Sequence, residues 1–312
     1  VVTFDKICFK QPRPTWRRIV EAFIWSAISC FIAIILPGFS YLWFAMGWGT
    51  INYVNFDMNF APNAVSAFFM SGGDFRNVIL VCIKGYSMDE TVPTIKKIAG
   101  KETVVIPILN IYGTGGRLQK NLPELTVTDG CIYVSANIVE PGVILQHGKI
   151  LRVVFGARKP EEETEKMREV AKDMVTDDLE VILSENIRRD AMVKFSYVSP
   201  IGAAGLYCNA VAADFQREGE QREMFKALIR EIVALSHAMG IEFEEDLVER
   251  NLKILASLSP EATTSMQRDV IEGKRSEMDG LVYEVVRMGR EYKVSMPQYE
   301  KAAACFREQG IL

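Results

Sequence analysis

The chain has 312 residues, long enough for two domains with separate cores, and its 49% hydrophobic and 24% charged content argues against disorder. A net charge of −4 excludes a general affinity for nucleic acid, so an anionic ligand would need a local pocket of positive charge. Six scattered cysteines without a CxxC pair suit a reducing compartment, and two distant histidines, His147 and His237, argue against a zinc site.

The first feature in chain order is a run without charge, residues 22 to 56. Ala22 to Leu36 is almost wholly apolar, and after Pro37-Gly38 the apolar character continues through Trp43 and Trp48. A spanning helix needs ~20 apolar residues, more than the uninterrupted block supplies, and Pro37 breaks a single straight span. Upstream, Lys6, Lys10, Arg13, Arg17 and Arg18 outweigh Asp5 and Glu21, the flank of a cytoplasmic end. Three readings stand for this stretch: a membrane anchor, a buried helix–strand piece, or a stretch foreign to the domain, as from a reading-frame slip. A single span would send the body of the protein outside, away from a reducing milieu. The expectation is a cytoplasmic protein, with membrane contact through residues 22 to 48 as the alternative.

From Asn77 the periodicity sharpens. Asn77 to Ile83 is a short unbroken apolar run, the mark of a strand buried on both faces. Lys84-Gly85-Tyr86-Ser87 ends it, Met88 to Ala99 reads as a helix closed by Gly100, and Thr103 to Leu109 is the next strand. Strand, helix, strand at this spacing indicates a right-handed crossover and a parallel sheet. Leu125 to Val127 and Cys131 to Ser135 are strand-like. Gly142 to Gln146 and Ile150 to Phe155 flank a His147-Gly148 turn and suggest a hairpin. Glu161 to Val175 is an amphipathic helix, Leu179 to Leu183 a last strand, and the first domain ends near Ser184-Glu185-Asn186.

Beyond Ile187 the strand pattern vanishes. Helices are expected at about 187 to 207, 220 to 239, 243 to 257, 261 to 272, 277 to 291 and 297 to 308, forming an all-helical second domain. A short break between the two domains leaves a cleft, a favoured place for a ligand.

Three places carry candidate chemistry. Lys84-Gly85-Tyr86 and Asn110 to Gly116 stand at the carboxyl ends of successive parallel strands, where open sheets bind ligands; Asn and Gly also serve ordinary turns. Lys194 sits in a strongly apolar helix, which lowers a lysine pKa and makes it a usable proton donor, unless its charge reaches outward on its flexible stem. Ser265-Met266-Gln267-Arg268-Asp269 and Arg275 to Gly280 are polar patches at helix starts, and the second also reads as a solvated, acidic helix N-terminus.

In order and together, these elements resemble the ketopantoate reductase (2-dehydropantoate 2-reductase) family. The resemblance runs from Asn77 to the C-terminus. It rests on the strand ending in Val81-Cys82-Ile83-Lys84, the strand ending in Leu109-Asn110, the Lys194 helix, and Ser265 to Asp269 with Glu277-Met278-Asp279-Gly280 downstream, then Val294-Ser295-Met296-Pro297. It implies NADPH-dependent reduction of the C2 ketone of ketopantoate to pantoate, in pantothenate and coenzyme A synthesis. Lys194 matches the family's proton donor and Glu277 its active-site glutamate. Substrate contacts are implied for Asn110, Ser265 and Asn209, and cofactor contacts for Lys84, Asn110, Ala136 and Glu277. The resemblance implies a small-molecule 2-ketoacid partner and allows a homodimer; no metal is implied.

The expected class is then α/β plus all-α. Residues 1 to 76 would be an atypical apolar segment in place of half a Rossmann domain, 77 to 186 its parallel-sheet remainder, and 187 to 312 a helical domain for substrate and dimerisation. Two departures stand out. Residues 1 to 76 carry no strand–GxGxxG–helix, the loop that brings backbone N–H groups to a pyrophosphate. The positions one and two helical turns after Lys194, where the family often has asparagines, are Val198 and Gly202. A non-catalytic or membrane-tethered relative, or a reductase of another 2-ketoacid, are therefore the alternative readings.

Overall fold

The computed structural model describes residues 52–53, 66–72, 75–140 and 143–311. Residues 22 to 48 lie outside these, and no described helix is long and apolar enough to cross a membrane.

The sheet that carries the site is built around β3 (Phe75–Cys82) and β4 (Val104–Pro107). They pair in parallel, and β5 (Thr126–Val127) continues the parallel order on the far side of β4. The unbroken apolar run of β3 follows from burial on both faces. Ile79 and Val81 pack with Val105 under α1 (Met88–Ile98) and α2 (Thr114–Asn121). Val78, Val104 and Ile106 pack on the other face against Val153 and Phe155 and against Met167, Val170 and Met174 of α3 (Glu165–Met174). Apolar residues on alternate faces therefore all face a core.

The sheet also extends upstream of the apolar run. β2 (Ser66–Gly72) pairs antiparallel with β3, and β1 (Asn52–Tyr53) antiparallel with β2. Sequence periodicity missed both strands, because the surrounding stretch is so uniformly uncharged that alternation has no contrast.

A second sheet is formed by β6 (Asp129–Glu140), β7 (Val143–Gly156) and β8 (Glu180–Leu183), with β6 and β7 antiparallel and β8 parallel to β7. Here the expected turn at His147-Gly148 is corrected. β7 runs through it: Val134 pairs with Leu151 and Ala136 with Gln146, so residues 147 to 150 bulge opposite Ser135. Gly148 takes φ +80° and His147 Nε2 lies 2.6 Å from Asn137 Oδ1 across the strands. A glycine with positive φ serves a bulge as readily as a turn.

From Ile187 to Glu308 every element is helical: α4 (Ile187–Tyr207), α5 (Ala212–Gln216), α6 (Glu220–Ala238), α7 (Leu247–Ala256), α8 (Ser265–Ile271), a π-helical turn (Asp279–Tyr283), α9 (Glu284–Glu291) and α10 (Pro297–Glu308). A parallel-sheet, Rossmann-like amino-terminal part followed by a helical carboxy-terminal part is the observed class.

The central helix α4 begins at Asn186, whose side chain accepts the Arg189 N–H, and contains Pro200. Proline has no N–H, so the carbonyl of Ser196, four residues earlier, loses its helical donor. Asn251 of α7, fully buried, supplies one: its Nδ2 donates to Ser196 O at 2.9 Å and lies 3.1 Å from Ser196 Oγ. Asn251→Leu should therefore cost about 1–3 kcal/mol by stranding a buried carbonyl. Pro200→Ala in the same chain, which restores the N–H, should recover part of the loss in a denaturant titration. No recovery would show that the proline and the asparagine are not coupled.

Candidate active site

β3 and β4 end side by side, so the residues that follow them face one opening at the carboxyl edge of the parallel sheet. Lys84 and Gly85 follow β3, and Asn110 follows β4 after Ile108 and Leu109. α4 brings Lys194 over this edge, where its Nζ donates to Asn110 Oδ1 at 2.8 Å. Burial holds Lys194 below the ordinary lysine pKa, partly opposed by the Cys131 thiol and the Glu277 carboxylate. Beneath the ammonium lies the ring of Tyr133, from β6, with its centroid 6.0 Å from Nζ.

The second arm is ionic. Lys84 Nζ donates to Asp269 Oδ2 of α8 at 2.8 Å and lies 3.7 Å from Glu277 Oε2. Glu277 is 4% exposed, and its other oxygen accepts the Gly85 N–H at 3.0 Å. Burial pulls the Lys84 pKa down, but the Asp269 hydrogen bond and the charges of Glu277 and Asp269 outweigh it, so Lys84 is held above its usual value.

What fixes the two arms together is Ile111. A Cβ on Gly85 would stand 2.0 Å from Ile111 Cδ1, and a Cβ on Gly280 2.3 Å from the same atom. Ile111 thus fills the space two missing side chains leave, one beside Lys84 and one in the π-helical turn after Glu277. Tyr112 packs on Phe195 of α4, ring centroids 6.1 Å apart. The loop carrying Asn110 is thereby anchored in the core of the helical domain.

The same loop leads into α2, where the glycine-rich stretch left a ligand-binding element and an ordinary turn as the two readings. Gly113 takes φ +73° and the helix starts at Thr114. The buried Asp129, at the start of β6, accepts the Gly115 N–H at 2.7 Å. The carboxylate that helps fix this helix end comes from another strand, so no local motif announces it.

Of the sequence candidates, Lys84, Asn110, Lys194 and Glu277 converge. Ser265 opens α8 one helical turn before Asp269; it is half-buried and its hydroxyl makes no hydrogen bond to a described residue. Asn209 is not brought to the cluster: it is exposed beyond the end of α4 with φ +49°, a left-handed conformation asparagine tolerates. Ala136 is exposed on β6 next to the bulge, whereas Cys131 and Tyr133 of the same strand reach Lys194. Gly202 meets Met266, whose Cε would lie 2.8 Å from an added Cβ, so close packing of α4 on α8 occupies that position. Sequence reading placed Asp269 in the polar patch with Ser265 and Ile111 in the loop after Asn110 but gave neither a role, and it missed Tyr133 and Cys131; Asp269 also carried a signal in its i, i+4 spacing from Ser265. Among the described residues, no cluster of His, Cys, Asp and Glu is placed to hold a metal.

Two family models match the chain: "Ketopantoate reductase PanE/ApbA" over residues 52–160 and "Ketopantoate reductase PanE/ApbA C terminal" over residues 186–309. The uncharacterized oxidoreductase YkpB of Bacillus subtilis is 25% identical, covering 80% of each chain. The crystal structure of 2-dehydropantoate 2-reductase from Methylococcus capsulatus superposes with a TM-score of 0.68 at 21% identity, covering 77% of this chain and 76% of that one. A ternary structure of D-mandelate dehydrogenase with NADH and anilino(oxo)acetate gives a TM-score of 0.64 at 18% identity, covering 74% and 75%. These two structural likenesses speak to the fold.

Proposed function

Because the chain belongs to the ketopantoate reductase family, a family of dinucleotide-binding oxidoreductases, we propose that it reduces the C2 ketone of 2-dehydropantoate to pantoate with NADPH, as a step of pantothenate and coenzyme A synthesis. The observation that carries this is the buried Lys194 ammonium bonded to Asn110 at the carboxyl edge of the parallel sheet. The groups there suit the nicotinamide end of a dinucleotide: the Asn110 amide and the Lys84 cation. A bound dinucleotide supplies the hydride. Lys194 meets the negative charge that develops on the ketone oxygen and gives it a proton, a role that stabilises the transition state and completes the product. Lys84 provides positive charge for the substrate carboxylate or the cofactor, and Glu277 holds Lys84 and Gly85 in place. Ser265, whose hydroxyl has no hydrogen bond among the described residues, serves as a substrate contact.

The lowered pKa of Lys194 gives a sign to the pH dependence. Donation needs the ammonium, so the reduction rate should fall as pH rises through the Lys194 pKa. That limb should lie below the ~10.4 of an ordinary lysine. A kcat–pH profile flat up to pH 10 would remove Lys194 as the donor.

A second reading has its own observation. Neither Val198, half-buried one turn after Lys194, nor Gly202, packed on Met266, offers a hydrogen bond to a substrate hydroxyl. That suits a 2-oxoacid with an apolar side chain, such as 3-methyl-2-oxobutanoate. Comparison of kcat/KM for the two acids, each with NADPH and with NADH, decides. The leading reading expects at least about tenfold preference for 2-dehydropantoate and for NADPH, within the reach of a few differential contacts. The reverse preference favours the second reading, and no cofactor consumption with either acid favours a non-catalytic relative. Use of NADPH also suits a cytoplasmic setting, in which Cys82, Cys131, Cys208 and Cys305 stay free.

A further inference from the structure

β6 crosses beneath α4 at the point where Lys194 leaves the helix. Cys131 and Tyr133, two residues apart, face the same side of the strand. Cys131 is 2% exposed, and Tyr133 is half-buried with its ring 6.0 Å from the ammonium. At that distance the attraction between ring and cation is at the outer limit of its range. The larger consequence is exclusion: the ring and the thiol occupy space water would otherwise take around Nζ.

Resting on the reading of Lys194 as proton donor, we propose that Tyr133 is a positioning residue whose ring walls the Lys194 ammonium from water, leaving Asn110 as its hydrogen-bond partner. The surroundings support a neutral wall. Burial pushes the Cys131 thiol up to about 11, so it carries no charge near neutral pH. Burial likewise drives the Tyr133 hydroxyl well above its usual value, and the phenol stays protonated. Among the described residues, the one carboxylate acting on Lys194 is Glu277, which is held by Gly85 and lies beside Lys84. Asp190, one turn earlier on α4, is engaged by Ser184 and Arg189. Cys131 and Asp190 reinforce the effect of burial on the Tyr133 hydroxyl, and Arg250 of α7 and Arg152 of β7 oppose it. Charge on β6 therefore does not lower the lysine, since the Cys131 interaction acts the other way; the bulk of the ring does.

Competitive acylation of the whole chain, read by mass spectrometry over a pH series, measures the titration of Lys194 without cofactor or substrate. Tyr133→Phe, which keeps the ring, should leave the Lys194 titration where it is. Tyr133→Thr and Tyr133→Val, both β-branched and suited to a strand, should admit water and raise it by about one pH unit, a tenfold loss of free amine near neutrality. An unmoved titration in a folded Thr or Val variant overturns the proposal, as does a shift in the Phe variant, which would assign the effect to the hydroxyl. Because this readout involves no turnover, a failed reductase assay would count against the proposed reaction and leave the wall intact.

Discussion

Lys194→Ala should lower kcat by roughly 10²–10⁴, the range for loss of a general acid, while the folded protein becomes no less stable. The two outcomes share a cause. A lysine held below its ordinary pKa by burial is an ammonium kept in an unfavourable place, and removing it relieves that cost. Activity and stability should thus move apart, the pattern of a group retained for chemistry. The Asn110 side chain loses its donor in this variant, so KM should rise modestly as well. Steady-state kinetics and a thermal melt on one preparation test both halves. Unchanged turnover removes Lys194 from the mechanism, and a large fall in Tm makes it a structural residue.

Gly280→Ala should be nearly as damaging, although residue 280 bears no reactive group. A Cβ there would approach Ile111 carbons to 2.3, 2.7 and 3.1 Å, and Ile111 cannot retreat because Gly85 already accommodates it on the other side. The loop with Asn110 must shift, moving the partner of Lys194. Overpacking of this kind costs about 1–3 kcal/mol, and a displacement near 1 Å at a catalytic contact can cost ~10²-fold in rate. Shortening the wedge with Ile111→Ala in the same chain should recover much of the lost rate, though not the burial energy of the isoleucine. If Gly280→Ala alone leaves kcat and Tm unchanged, the wedge does not set the site.

How much of this was legible depends on whether the cause is local. The strand through Val81, the helix from Met88 and the long helix from Ile187 are written in short-range periodicity and caps, and the structure places them close to where that pattern puts them. Residues 147 to 150 were misread because glycine at positive φ looks alike in a turn and a bulge. The start of α2 depends on Asp129, fourteen residues beyond Gly115, and the contact to Ser196 on Asn251, fifty-five residues away. Such partners leave no mark on a local window.

The site divides in the same way. Lys84, Asn110 and Lys194 stand out as polar residues at the ends of apolar strands or inside an apolar helix, whereas Glu277 lies in a polar patch at a helix start and is singled out by the family resemblance. Ile111 does not stand out, since a buried isoleucine is ordinary until Gly85 and Gly280 are seen to leave room for it. Tyr133 likewise reads as a strand aromatic, and its nearness to Lys194 exists only in three dimensions.

Lys194 and Asn110 are proposed as the centre where a 2-oxoacid becomes a 2-hydroxyacid. Its most direct test follows NADPH absorbance at 340 nm with 2-dehydropantoate and quantifies the product by chromatography, in the wild-type chain and in Lys194→Ala. One pantoate should form per NADPH consumed, at a rate at least about a hundredfold lower in the variant. NADPH loss without pantoate, or equal rates in the two proteins, would contradict it.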